Sequence, residues 1–129
     1  MSNYMKIHSN RFVSLCEETK KQITQTDIHA VKQKLENKEA FYLVDVREES
    51  EWAKGHIPSA IHLSKGIIER DIEKVIPAID AHIILYCGGG YRSALAALSL
   101  QKMGYTHILS MNGGYSAWKH AEYPLNSIK

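Results

Sequence analysis

The sequence of 129 residues contains few of the features that mark specialised protein classes. Its two cysteines, Cys16 and Cys87, are too few and too far apart for a disulfide framework, and no Cys-x-x-Cys pair or Cys/His cluster suggests zinc. No hydrophobic run approaches the length that spans a bilayer. The 16 basic and 14 acidic residues are scattered along the chain, with a net charge of only +2. We therefore expect no metal, no membrane partner and no nucleic-acid partner.

The remaining bulk properties are those of an ordinary globular domain. Residues 1–6 lack the basic start and apolar run of a signal peptide, so we expect a cytoplasmic location and reduced thiols. Hydrophobic residues make up 44% and charged residues 23% of the chain, which is near the globular average. The length suits one folded unit with a single core.

From residue 41 onward, short apolar runs alternate with amphipathic segments. This alternation is typical of βαβ units, so the predicted fold class is α/β with a mostly parallel sheet of four to five strands. The predicted strands are 41–46, 60–63, 82–87 and 107–110, with a brief further strand near Ile23. The predicted helices are 27–37, 48–54, 67–76, 92–103 and 115–121.

In two of the predicted helices, the spacing gathers a set of residues on one face. In helix 67–76, one face is predicted to carry Ile68, Ile72, Val75 and Ile76. In the first 22 residues, four residues recur at helical spacing, namely Phe12, Leu15, Cys16 and Thr19. We therefore predict an N-terminal helical extension, 1–22, before the main domain, 23–129. The sequence leaves open whether this helix packs on the domain or serves a partner.

The segment that indicates chemistry is Cys87-Gly88-Gly89-Gly90-Tyr91-Arg92-Ser93, which follows a buried strand and leads into a helix. Ligands of open α/β sheets bind beyond the carboxyl ends of strands, and a glycine-rich turn there lets several backbone N–H groups converge on an anion. The positive N-terminal end of the helix would also stabilise a thiolate at Cys87. Arg92 adds a planar cation suited to oxyanions, and Ser93 could donate a hydrogen bond or cap the helix.

Two other kinds of glycine-rich site do not fit the spacing. The run lacks both the GxGxxG pattern of dinucleotide sites and the GxxxxGK[ST] pattern of nucleoside triphosphate sites, so no cofactor is expected. The remaining alternative is that Cys87 is a small buried residue ending a strand and that the glycines only form a tight turn.

The chain resembles a single rhodanese domain over roughly residues 23–125. The motifs that carry the resemblance are Leu43-Val44-Asp45-Val46-Arg47-Glu48, Glu51-Trp52, Gly55-His56-Ile57-Pro58-Ser59-Ala60, Cys87-Gly88-Gly89-Gly90-Tyr91-Arg92-Ser93-Ala94 and Gly113-Gly114-Tyr115-Ser116-Ala117-Trp118. Ser59 stands where the family often has glycine, which leaves the local turn in doubt. The resemblance implies a rhodanese-like sheet with helices on both faces.

The resemblance also implies a thiosulfate sulfurtransferase. Cys87 would accept sulfane sulfur from thiosulfate or a similar oxyanion and pass it, as a persulfide, to cyanide, a small thiol or a protein thiol. The N–H groups from Gly88 to Arg92 would cradle the oxyanion, and Arg92 would steady the donor. A persulfide carrier or regulatory sulfur-relay module with little small-molecule turnover stays open as an alternative.

The length of the loop separates these functions from a third. Related dual-specificity phosphatases and arsenate reductases place five residues between cysteine and arginine, whereas four residues, Gly88 to Tyr91, separate Cys87 from Arg92 here. The shorter loop favours sulfur chemistry over a phosphatase or arsenate reductase. The sequence does not identify the physiological donor or acceptor, or the oligomeric state.

Several other residues receive structural interpretations. Asp45 and Arg47, at the end of a strand, could reach the edge of the site, but a structural ion pair or a turn-fixing role is favoured. His56 is interpreted as shaping a turn. Cys16 is interpreted as a small hydrophobic residue on the first helix, and Trp118 as part of the core.

Overall fold

The computed structural model describes residues 7–126, and these form a three-layer α/β structure. The helices are α1 (Asn10–Lys20), α2 (Ile28–Glu36), α3 (Glu49–Lys54), α4 (Ile68–Val75), α5 (Tyr91–Lys102) and α6 (Gly114–His120). The strands are β1 (Thr24–Thr26), β2 (Tyr42–Asp45), β3 (Ile61–His62), β4 (Ile83–Tyr86) and β5 (Ile108–Met111). Every predicted helix and strand is present, including the brief strand near Ile23. The predicted extension, 1–22, and domain, 23–129, both reach beyond the described residues, and their boundary stays a prediction.

The five strands form one parallel sheet in the order β1-β5-β4-β2-β3. All four residues of β4, the central strand, are buried, as expected for a parallel strand covered on both faces. Its side chains alternate between two cores: Ile83 and Leu85 face one, and Ile84 and Tyr86 face the other. The α/β class and the helices on both faces are therefore confirmed.

Each of the two cores lies on one face of the sheet and includes residues from a different pair of helices. One core contains residues of α4 and α5, such as Ile72 and Leu100. The other contains Val31 of α2 and Trp118 of α6, so the predicted core role of Trp118 is confirmed. Asp27 begins α2 by accepting a hydrogen bond from the Ala30 N–H at 2.8 Å, as its capping position predicts.

Two residues on the predicted apolar faces are exposed to solvent. Val75 is 45% exposed, although Ile68, Ile72 and Ile76, which were predicted on the same face, are buried. Leu15 is 55% exposed, whereas its neighbour Cys16 is fully buried. In α1 the face buried against α5 is narrow and contains Cys16 and Thr19. No helix within residues 7–126 has both the length and the apolar character needed to cross a membrane.

Ser59 lies in the turn that the sequence left in doubt. Its φ of 73° is in the left-handed region, which glycine adopts more readily than serine. The chain therefore makes the same turn with serine at some cost in backbone strain.

Candidate functional site

The candidate site lies at the carboxyl end of β4, where Cys87 directly follows the central strand. Cys87 is only 1% exposed, and its Sγ accepts a hydrogen bond from the Gly90 N–H at 3.1 Å. The loop thus curls back over the sulfur, and a backbone donor already points at it. A sulfur anion in this position would gain a charge-assisted hydrogen bond.

Helix α6 fixes the direction of the loop peptides. The N–H of Tyr115 donates to the Cys87 carbonyl at 2.7 Å, and the N–H of Ser116 donates to the Gly88 carbonyl at 2.9 Å. Since a trans peptide places its C=O and N–H on opposite sides, the N–H groups of Gly88 and Gly89 point away from α6. The first N–H groups of α6 therefore bind the loop carbonyls, and this leaves the loop N–H groups oriented towards the space where a ligand would bind.

Two glycines allow this close approach. A Cβ on Gly114, whose φ is 56°, would lie 2.4 Å from the Cys87 carbonyl oxygen. Gly90, with a φ of 109°, turns the chain from the loop into α5, of which it is the N-terminal cap. Ser93 was predicted as a possible cap, but it lies inside α5 and caps nothing.

Ser93 instead belongs to a buried chain of hydroxyl groups behind the sulfur. The Cys87 thiol donates to Ser93 Oγ at 3.5 Å, and Ser93 Oγ lies 2.8 Å from Ser110 Oγ on β5. Both serines are fully buried. Sequence reasoning missed Ser110, because only the packing of α5 on β5 brings it beside Ser93.

Arg92 lies next to the loop but is held by a carboxylate. Its Nη1 and Nη2 donate to Glu51 Oε1 and Oε2 at 2.7 and 3.1 Å, and a Cβ on Gly88 would lie 2.9 Å from Nη2. The hydrogen bonds from Arg92 lower the pKa of Glu51 to about 2, and the same pairing raises the pKa of Arg92. The sequence offered Glu51 only as part of a motif, since nothing in its local spacing indicates a partner 41 residues along the chain.

A cleft of about 420 Å³ opens above the sulfur. Of the predicted site residues, it is lined by Cys87, Gly88, Gly89, Tyr91 and Arg92. The structure adds residues from two other regions of the chain, namely His8, Phe12, Lys20, Asn112, Gly113 and Ser116. The N-terminal helix α1 thus packs on α5 and forms one wall of the cleft, which settles a question that the sequence left open.

The residues with structural interpretations lie outside the cleft lining. Asp45 and Arg47 form the predicted buried ion pair at 2.8 Å, and Arg47 also donates to the Gly55 carbonyl at 2.7 Å. His56 stacks on Trp52 with ring centroids 3.5 Å apart. Burial raises the pKa of Cys16, as expected for a thiol that packs as a hydrophobic side chain. Within residues 7–126, no group of three or more His, Cys, Asp or Glu side chains could hold a metal ion.

Comparison with known proteins identifies similar chains and folds. The family profile of the Rhodanese-like domain matches residues 27–121. A sulfurtransferase of Allochromatium vinosum is 33% identical over 103 residues, which cover 80% of this chain and 94% of that protein. The putative sulfur carrier protein YrkF of Bacillus subtilis is 31% identical over 96 residues; they cover 74% of this chain but only 51% of YrkF.

A solved structure extends the similarity to nearly the whole chain. A protein of unknown function from Rhodopseudomonas palustris, described as a possible tyrosine phosphatase, is 26% identical and superposes with a TM-score of 0.81. The match covers 95% of this chain and 99% of that one.

Proposed function

The chain belongs to the rhodanese-like domain family, and we propose from this premise that it is a sulfurtransferase with Cys87 as its nucleophile. Its donor would be thiosulfate or a similar small oxyanion, and its acceptor a thiol or cyanide. The observation that carries the proposal is the position of the Cys87 sulfur, at the end of the central strand and under a loop whose N–H groups are free to face a ligand. The reaction would take place in the cytoplasm, where free thiols such as Cys87 stay reduced.

In the first half-reaction, the Cys87 thiolate attacks the outer sulfur of thiosulfate. The S–S bond of the donor breaks, sulfite leaves with the bonding electrons, and Cys87 becomes a persulfide. The N–H groups of Gly88 and Gly89 stabilise the oxyanion, since they are fixed in place before the donor binds. Arg92 contributes positive charge beside the loop while Glu51 holds its guanidinium in one orientation.

In the second half-reaction, the acceptor attacks the terminal sulfur of the persulfide. The bond between that sulfur and Cys87 Sγ breaks, and its electron pair returns to Sγ, where the Gly90 N–H donates a hydrogen bond. Cyanide leaves as thiocyanate and a thiol leaves as a new persulfide. The thiolate of Cys87 is regenerated, so the two half-reactions form a ping-pong cycle.

Replacing the nucleophile tests this proposal directly. We expect Cys87→Ser to abolish thiocyanate formation from thiosulfate and cyanide, because the less polarisable hydroxyl neither ionises nor accepts sulfur at neutral pH. Intact-mass analysis of wild type after thiosulfate should show the gain of one sulfur atom, and the variant should show none. Cys16→Ala is the matched control and should keep both properties. Thiocyanate formation by Cys87→Ser at the wild-type rate would contradict the proposal.

A sulfur carrier is the second candidate, favoured by the similarity to YrkF. In this case Cys87 would receive its sulfur from a protein such as a cysteine desulfurase and deliver it to another protein. Loading of Cys87 by such a partner, together with negligible turnover of thiosulfate, would favour the carrier over the enzyme.

A phosphatase is the less favoured third candidate. The description of the Rhodopseudomonas palustris protein supports it, whereas the four-residue spacing between Cys87 and Arg92 opposes it, as the cradle is small for a phosphate. The proposal predicts no efficient hydrolysis of an aryl phosphate by the wild-type protein. Efficient hydrolysis would overturn the argument from loop length.

A further inference from the structure

The cleft is larger than the proposed donor requires. Its volume of about 420 Å³ falls within the range of sites for organic ligands, whereas thiosulfate is a small ion that the loop alone can cradle. Since the sulfur of Cys87 lies at the loop, most of the cleft stays available after the persulfide has formed. The N-terminal region contributes His8, together with Phe12 and Lys20 of α1, to the lining of the cleft.

Three aromatic rings form a cluster in the lining of the cleft. The ring of Tyr91 contacts those of His8 and Phe12, with centroids 5.2 and 5.8 Å away, and His8 and Phe12 are 5.2 Å apart. The rings meet at steep angles, in the edge-to-face arrangement that aromatic pairs prefer. This surface suits a flat or apolar organic group.

The charged side chains in the cleft lining are cationic. They are Lys20 and Arg92, and Arg92 is already held by Glu51. Lys20 is only 17% exposed, and its Nζ lies 4.6 Å from the centre of the Tyr91 ring. Its carboxylate neighbour, Glu17, is outside the cleft lining and 3.7 Å away, beyond hydrogen-bond distance. A carboxylate in the cleft could therefore bind Lys20 more closely than Glu17 does.

We propose that α1 and Tyr91 form an acceptor subsite for a small organic thiol that carries a carboxylate. The apolar body of the thiol packs against Phe12 and Tyr91, and its carboxylate binds Lys20. Its thiolate attacks the terminal sulfur of the Cys87 persulfide, whose S–S bond breaks and returns an electron pair to Sγ; the product is the organic persulfide. This inference rests on the proposed function and adds to it the class of acceptor.

A matched pair of acceptors tests the role of charge. Protein loaded with sulfur at Cys87 is mixed with 3-mercaptobenzoate or with the neutral 3-mercaptobenzamide, and kcat/KM for the transfer is measured. Lys20→Met keeps the aliphatic stem and removes the charge, so we expect about a five- to tenfold loss with the benzoate and less than about twofold with the benzamide. Glu17→Gln should raise the rate with the benzoate about two- to threefold, because a competing carboxylate is lost.

The control for Lys20 is its neighbour Lys21. The side chain of Lys21 is 73% exposed and pairs with Glu18, so Lys21→Met should leave both rates unchanged. Phe12→Ala should slow both thiols to a similar extent, since it removes the apolar contact and no charge. If Lys20→Met slows both thiols equally, or slows neither, the proposed carboxylate subsite is wrong.

A binding measurement separates this inference from the proposed function. The unreactive 3-(methylthio)benzoate can be titrated into the resting protein and followed by NMR, which requires no persulfide. We expect binding to wild type and to Cys87→Ser, and weaker binding to Lys20→Met. Binding without sulfur transfer would refute the sulfurtransferase proposal and retain the subsite, whereas transfer without Lys20-dependent binding would refute the subsite alone.

Discussion

At the scale of single residues, the reactivity expected of Cys87 depends on two buried serines. A hydroxyl can rotate, so Ser93 can accept from the thiol or donate to the thiolate. When Ser93 donates to the sulfur, its oxygen can accept a hydrogen bond from the hydroxyl of Ser110, which lies 2.8 Å away. The chain Cys87–Ser93–Ser110 can therefore reverse its direction as the sulfur gains or loses its proton, and the two serines stay hydrogen-bonded to each other in both states.

This hydroxyl chain predicts graded losses of thiol reactivity. We expect Ser93→Ala to slow the alkylation of Cys87 by iodoacetamide about tenfold near neutral pH, and Ser110→Ala about threefold, because the thiolate loses a donor directly or through Ser93. Peptide mass spectrometry can measure the rates at Cys87 separately from Cys16. Ser99→Ala on the same helix is the control, and alkylation of all variants at one rate would refute the role of the chain.

At the scale of secondary structure elements, the site depends on the contact between α6 and the loop after β4. The first N–H groups of α6 bind the carbonyls of Cys87 and Gly88, so the helix serves as a brace for the loop. The N–H groups of Tyr115 and Ser116 are therefore occupied by loop carbonyls and do not face a ligand.

This brace predicts a different outcome for two glycine substitutions. Gly114 and Gly104 both have positive φ, at 56° and 105°, but a Cβ on Gly104 would meet nothing within 4 Å. Both Gly114→Ala and Gly104→Ala should lose about 1–2 kcal/mol of stability from backbone strain. Only Gly114→Ala should also lose sulfur transfer, by about tenfold or more, because its Cβ displaces the loop. Thermal unfolding and transfer rates measure the two effects; equal activity in the two variants would contradict the brace.

At the scale of the whole molecule, the paired and buried ionisable groups make the fold sensitive to acid. The Glu51–Arg92 pair joins α3 to the start of α5, and it lowers the pKa of Glu51 from 4.5 to about 2. Because the unfolded chain takes up this proton first, the stabilisation is complete above about pH 5 and is lost as the pH falls towards 2. Burial and the adjacent His107 lower the pKa of His82. As the pH falls below the usual value of 6.5, the unfolded chain therefore binds a proton at His82 before the folded chain does, which also disfavours the folded state.

Denaturation at two pH values can isolate the contribution of Glu51. Wild type should lose roughly 1–2 kcal/mol more than Glu51→Gln between about pH 5 and pH 2, after allowance for solvent screening of this partly exposed pair. Urea titrations that yield the free energy of unfolding at each pH provide the measurement. Glu36→Gln removes a surface pair with Lys32 and should behave as wild type. An identical loss in wild type and Glu51→Gln would show that the pair adds no acid-dependent stability.

The sequence by itself determined the order of helices and strands and the position of the reactive loop. Both depend on residues that are neighbours along the chain. The spacing of hydrophobic residues identifies a strand or a helix. A cysteine followed by three glycines at the end of a strand identifies a turn with several accessible N–H groups. The exposure of Val75 and Leu15 shows the limit of periodicity, since it predicts an apolar stripe but not how wide a face the rest of the molecule covers.

Only the tertiary structure decided which distant residues share the site. Glu51 meets Arg92 across 41 positions of sequence, and Ser110 meets Ser93 through the packing of α5 on β5. The docking of α1 likewise brings Lys20 to the cleft around Cys87. Local spacing carries no information on such contacts, because they arise from strand order and from the packing of helices across the sheet.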